Sequence, residues 1–501
     1  MNHICFSKNS GMSLIAIIVL LLFIGVSALV SSSLVGTGNI GGANVVQSAQ
    51  ALSIAHAGKE WYLEQIQGDP DWTTNEATLT NALGAGFFDI SVASRILTRI
   101  IFTSTGRVVN PEGLTIRRRM SVTAWKLPTA FQFALYQGTD PGVNLSIQNT
   151  STINGDVYSR GSVTVAAGSQ VNNGTVYVPA ANDPPGDPAE TVGGAGTFTA
   201  KIMPLPALTM PAITTTAYTT RMGIYDGVIP DVNPPGGNLT INPPSYVVAG
   251  TVIADNINTN TVNGTLNITG CGRLVAWQNI NLNRTASAVA RTLNVNPTCG
   301  DIEFLAGDNL NVGHPTDLDI SVNMNVGTGV GVLYSQAQGA NTNQVLIEGP
   351  NTRLHGVRIY ARRRITIQSN ADVDQVSLLY VNRAATTANN QIDIVGTGIT
   401  GQTIVNGSII SLGQNVENLR IQTNASVTGL VYSFDTGGTG RLVLNTCTVI
   451  GSVVAPLYRS AGINDQIRAA TVTYDATVLP DPPPEGFDTF VMKKPDSWDG
   501  L

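Results

Sequence analysis

The strongest pattern in the chain is an unbroken apolar run near its start. From Met12 to Val35 there is no charged residue, and none occurs between Lys8 and Lys59. As a helix, these residues extend about 36 Å, enough to cross a bilayer. Lys8 then sits where a cytoplasmic anchor is expected. A second pattern follows over Asn44–Gln67, where Leu52, Ala55, Leu63 and Ile66 form one apolar stripe at helical spacing. Between the two lies Gly36-Thr37-Gly38-Asn39-Ile40-Gly41-Gly42. It has the spacing of a dinucleotide loop, but such a loop needs a strand before it, and here a helix precedes. Glycine disfavours helix interiors by about 1 kcal/mol each, so the segment predicts a hinge.

After Gly68-Asp69-Pro70 the period changes to that of strands. Phe87–Phe102 and Leu114–Trp125 alternate as β-structure, with turns at Thr105-Gly106 and Asn110-Pro111-Glu112-Gly113. They predict a small antiparallel sheet. Arg117-Arg118-Arg119 suits a solvated edge strand protected by charge, or a contact with anionic lipid headgroups.

From Val143 onward a Gly-x-hydrophobic phrase recurs, as in Asn154-Gly155-Asp156-Val157-Tyr158 and Gly429-Leu430-Val431-Tyr432. Gly155 and Gly174 are 19 apart, and Gly407, Gly429 and Gly451 are 22 apart. Strands and turns repeating about every 20 residues are the mark of a β-solenoid, whose coils stack to bury their open faces. The first repeats span 143–178. A Pro/Gly-rich stretch, 179–244, reads as a linker or as loops outside the stack, because proline removes ladder donors. The main solenoid spans 245–460, and the period is lost over 461–501.

Composition agrees with a β-rich fold: Gly 52, Pro 25 and only 12% charged residues. A net charge of −6 disfavours nucleic acid as a partner. With 4 Cys and 4 His, the latter far apart, no metal or cofactor site is indicated. No G-x-S-x-G or H-E-x-x-H motif occurs, so the expectation is a protein that is not an enzyme. The pairs Asp317/Asp319 and Asp372/Asp374 are spaced to share a strand face, as acid–base catalysis on polysaccharides would need, but Asp also fills solenoid turns. Gly396–Gly401 repeats the dinucleotide spacing in front of a strand, which is the wrong context. Arg358, Tyr360, Arg362 and Arg364 share strand parity and would make a basic stripe able to grip an anionic glycan or a partner protein.

The leader supplies a resemblance. A short polar segment with a Lys, ending in Gly11 and followed at once by the apolar run, resembles a type IV prepilin signal. Ala55-His56-Ala57-Gly58-Lys59-Glu60-Trp61 resembles a stretch of the PilX/MshP-type minor pilins, and the tail from Tyr474 to Trp498 resembles the ending of large proteins with a PilX-like N-terminal domain. The resemblance implies a leader over 1–11, prepilin peptidase cutting between Gly11 and Met12, and N-methylation of Met12. It implies a pilin-type helix over 12–67 that passes from the inner membrane into a bundle with other pilins. The head would span 68–142. The resulting fold class is mainly β: a long N-terminal helix, a small α/β head and a right-handed parallel β-helix. Ala16 stands where most major pilins carry Glu, which points to a minor pilin acting in assembly, priming or at the tip, with adhesion to a surface glycan or host ligand as a further role. The expected location is the inner membrane and then the pilus surface of a Gram-negative-type cell. Two alternatives stay open: a membrane-anchored β-helix enzyme acting on extracellular polysaccharide, and a tip pseudopilin of type II secretion. In an exported domain Cys271 and Cys299, 28 residues apart and each beside Gly, are expected to form a disulfide, leaving Cys447 free and buried.

Overall fold

The computed structural model describes residues 10–67, 79–96, 99–109, 113–126, 129–138, 144–179, 191–200 and, apart from short stretches, 210–480, together with 484–485, 487, 491–493 and 499–500. The chain divides into two units, residues 1–126 with 490–501, and residues 127–489. The larger unit is therefore an insertion in the smaller one.

The smaller unit, the head, is a helix on an antiparallel sheet. α1 (Ser10–Gln67) is continuous. The hinge expected at Gly36–Gly42 does not form, since glycine weakens a helix without removing a backbone donor as proline would. Ala51, Ile54, Tyr62 and Ile66 bury one stripe of α1 against Phe88, Ile90, Ile100 and Phe102. The sheet runs β1 (Leu79–Leu83), β2 (Gly86–Ile96), β3 (Arg99–Val109), β4 (Thr115–Lys126). The single strand expected over Phe87–Phe102 is thus two strands of a hairpin. Gly106, expected in a turn, lies inside β3, and its lack of a side chain is what lets the helix approach. A Cβ there would sit 1.9 Å from the Ala51 carbonyl oxygen. Gly58 plays the same part from the helix, where a Cβ would come within 2.7 Å of Phe88 and of the Ser104 hydroxyl. That hydroxyl donates to the Ala55 carbonyl at 2.7 Å. Two short segments of the C-terminal tail, Val491–Lys493 and Asp499–Gly500, pair antiparallel with β4. Part of the residues expected to trail beyond the solenoid therefore completes the head sheet.

The larger unit is a solenoid-like sheet whose rungs pair in parallel. Its interior is filled by the alternate residues of each rung, such as Leu274, Phe304, Leu333, Ile359, Leu379, Ile409, Val431 and Val453. The recurring glycines mark a corner where backbones nearly touch. Gly429 and Gly451 are register partners with φ of 133° each, and a Cβ on Gly451 would meet the Gly429 carbonyl oxygen at 2.0 Å. No L side chain fits that conformation and that approach.

Rung order departs from chain order. The first strand of the unit, Leu135–Gln137, pairs with Arg441–Ala455 of a late coil, and Leu145–Gln148 and Thr152–Asn154 pair with Gln466–Arg468 and Thr471–Thr473. The chain enters the stack part-way along and builds outward to Thr197–Ala200, which pairs with Gln170–Tyr177. It next appears at the opposite end, where Leu239–Thr240 and Ser245–Ala254 pair with the next strands. From there it winds back to the first coil. The 461–501 stretch therefore also contributes a rung, and 179–244 is more than a linker: it contributes an end rung and carries α2 (Thr216–Asp226). Tyr218, Met222 and Tyr225, at spacings of four and three, give α2 its buried face.

Candidate functional site

Three features of the structure bear on function: the exposed stretch 18–31 of α1, the faces of the solenoid, and a set of ion pairs on them. Ile18, Leu20, Leu22, Phe23, Leu29 and Val30 are all more than half exposed, on every side of α1. A helix apolar all round is suited to burial in lipid or in a bundle of like helices. Among the described residues, no helix is long and apolar enough to cross a membrane. Part of the Met12–Val35 run lies outside the described side chains, as do those of Gly11 and Met12, whose backbone belongs to α1.

The expected basic stripe is not one surface. Parity holds only within the strand Val357–Ala361, so Arg358 and Tyr360 share a face while Arg362 and Arg364 lie beyond the strand end. Tyr360 is fully buried, and its hydroxyl accepts from Arg221 of α2 at 2.9 Å. Arg362 pairs with Asp226, whose carboxylate also accepts from the Tyr334 hydroxyl. Arg364 and Arg420 both pair with the buried Asp393. These groups hold the fold together and do not form a free gripping surface.

Tyr360 belongs to a column that the sequence reading passed over. Tyr334, Tyr360 and Tyr380 are register partners, and farther along so are Tyr136, Tyr158 and Tyr177. They point away from the solenoid interior and are covered by other parts of the unit. Tyr218 stacks on Tyr380 at 4.3 Å, Tyr225 packs on Tyr334 and Tyr360, and the Tyr432 hydroxyl donates to the Pro211 carbonyl at 2.5 Å. Burial pushes the hydroxyl pKa of Tyr334 and Tyr432 up. The signal was present in the sequence, since Tyr158, Tyr177, Tyr334 and Tyr432 each stand three residues after a phrase glycine.

Cys271 and Cys299 form a disulfide with a Cα–Cα distance of 5.4 Å. Cys447 is free and buried, and burial pushes its thiol up to about 12. The two carboxylate pairs differ. Asp317 accepts from the Asp319 backbone N–H at 3.0 Å, as a turn residue does. Asp372 and Asp374 lie on one strand beside Arg353 and His355 of the neighbouring rung. His355 Nδ1 and Asp374 Oδ1 are 2.5 Å apart. Desolvation, then the Asp374 charge, raises the Asp372 carboxyl above its ordinary value. The second dinucleotide-like spacing lies outside the described residues beyond Gly396. In the head, Arg118 of the basic triplet donates to Ser48 Oγ at 2.7 Å, while Arg117 and Arg119 are exposed. No cluster of three or more metal-ligating side chains occurs among the described residues.

No protein-family model matches the chain, and no curated protein matches it. Among solved structures, the crystal structure of the competence-associated pilin ComZ from Thermus thermophilus aligns at 11% identity, over 91% of this chain and 97% of that one, with a TM-score of 0.17. A likeness of that degree carries no argument about fold or function.

Proposed function

We propose that the chain is a minor pilin-like structural protein of a type IV pilus, acting in assembly or priming or at the tip, and that it is not an enzyme. The observation that carries the reading is α1. Its residues 18–31 are mostly apolar and exposed on every side, and its C-terminal part is seated by Ala51, Ala55 and Gly58 on a small antiparallel sheet. The first stretch thereby suits lipid or other pilin helices, and the second carries the head. The resemblance of the leader to a prepilin signal adds Gly11 and Met12 as the processing site and prepilin peptidase as a partner. The disulfide suits an oxidising compartment, in line with passage from the inner membrane to the cell surface. The general preference of parallel crossovers for one hand supports a right-handed β-helix.

Ala16 offers no carboxylate to a neighbouring subunit's N-terminal amine, and the inserted solenoid is bulky for a subunit repeated along a shaft. Both favour few copies at a filament end, where immunogold label is then expected. The primary test is intact-mass measurement of membrane-extracted protein from cells with active prepilin peptidase. A mature chain starting at Met12 supports the reading, and a chain retaining residues 1–11 overturns it.

A further inference from the structure

The solenoid has three outward faces, and they are not alike. The tyrosine face is covered by α2 and neighbouring segments. A second face is closed in its middle: the register partners Leu346, Thr366, Asp393 and, beyond Arg420, Val443 are each at most 5% exposed. The third face stays open along the stack. One of its columns runs Asn267, Asn294, Asn323, then Arg353 and Asp372. It continues past Ile404 through Ser426, Thr448, Thr471, Thr152 and Gln170. All of these are partly or fully exposed. Rungs about 4.8 Å apart thus present a row of neutral amides and hydroxyls, broken by Ile404 and by Arg353 and Asp372 with, alongside them, His355 and Asp374.

We propose that this open face docks a neutral, linear, hydroxyl-rich polymer, a polysaccharide chain laid along the solenoid axis. The inference goes beyond the pilin reading and does not rest on it. Two observations carry it. The first is pre-organisation: Asn294 and Asn323 each donate an amide N–H to the Asn of the rung before, at 3.0 and 3.2 Å, and Gln170 donates to Thr152 at 3.2 Å. Side chains already held in place lose little freedom on binding. The second is a hollow of about 420 Å³ opening beside Thr448 and Thr471, lined also by Gln402, Asn424 and Thr446, with no charged group among its lining residues.

Charge selects the class of polymer. Asp372 and Asp374 stand against Arg353 and His355, so the face has no positive excess to attract a polyanion. Weak contacts repeated over many rungs add up for a chain-like ligand in a way they do not for a single sugar.

The test is affinity electrophoresis of the detergent-solubilised full chain through gels containing amylose, dextran or galactomannan, with hyaluronate and polygalacturonate as anionic counterparts. Retardation by at least one neutral polymer is expected, together with at least tenfold weaker retardation for Thr448→Lys combined with Thr471→Lys. Ile224→Lys, at an exposed position of α2 on the tyrosine face, should leave retardation unchanged. Retardation by none of the neutral polymers, retardation by the anionic polymers alone, or equal retardation of the face variant and the parent chain would each overturn the proposal.

Discussion

The head and the solenoid are both apolar strands brought together, yet they fix their geometry in different ways. In the head, the helix–sheet contact turns on a few positions where any side chain is too much, Gly106 and Gly58 above all. In the solenoid, the same residue types recur rung after rung, so that Ile359, Leu379, Ile409 and Val431 fill equivalent places. Stability in a stacked array is close to a sum of rung and neighbour terms. A single closely fitted contact has no such redundancy. Damage in the head should therefore be all-or-none, and damage in the solenoid local.

The largest effect expected from this contrast is that of Gly106→Val. The new side chain would occupy the space of the Ala51 carbonyl, and since α1 cannot retreat without losing Tyr62 and Ile66 from the core, the cost should be about 3 kcal/mol or more. Hydrogen exchange should show α1 and β1–β4 deprotected while rungs such as Leu419–Phe434 keep their protection. Loss of protection in both units together would break the comparison.

An intermediate effect is expected from replacing both Cys271 and Cys299 by Ser. For a loop of this length the chain-entropy model gives roughly 3–4 kcal/mol. That is an upper bound, because the strands carrying these residues already pair on both sides of the bridge. Faster exchange should be confined to Gly264–Ala276 and Arg291–Ala306 and their neighbours, with the head unmoved. A fall in stability spread evenly over the whole chain would contradict a local, additive solenoid.

The sequence showed the repetition but not how the repeats are ordered. Glycines at a constant interval mark the corner because close backbone approach demands them at every turn, and that demand is local. Two features escaped because they depend on distant partners. Nothing near Leu135 says that it will pair with Val453. Nor does any local pattern say that the Pro/Gly-rich stretch after Pro179 hides a helix whose Tyr218 and Tyr225 will cover a tyrosine column. The stripe of Arg358, Tyr360, Arg362 and Arg364 misled for the opposite reason. Parity was carried past Ala361, where the strand ends, and so past the point where alternation holds. In the head, a glycine between two alternating runs usually marks a turn, yet Gly106 lies within a strand. Only the helix lying over it shows the other reason for a glycine.

The smallest effect concerns Asp372, on the open face of the solenoid, and its sign separates two roles. Its carboxyl is raised by desolvation and by Asp374, against the opposing charges of Arg353 and His355. A raised carboxyl binds its proton more tightly in the folded chain than in the unfolded one. The resulting penalty is fully present above the folded value, and it fades as the pH falls through that value toward the ordinary carboxylate range. Asp372→Asn removes the charge and keeps the shape. The variant should therefore melt slightly higher than the parent at pH 7, and the difference should shrink as the pH is lowered through the carboxylate range. Melting curves of the full chain at several pH values decide the matter. A variant that melts lower at pH 7 would mean that the carboxylate serves as a structural partner of Arg353. In that case the pairing with Arg353 would outweigh the cost of desolvating a carboxylate whose Oδ1 is buried with no donor among the described residues.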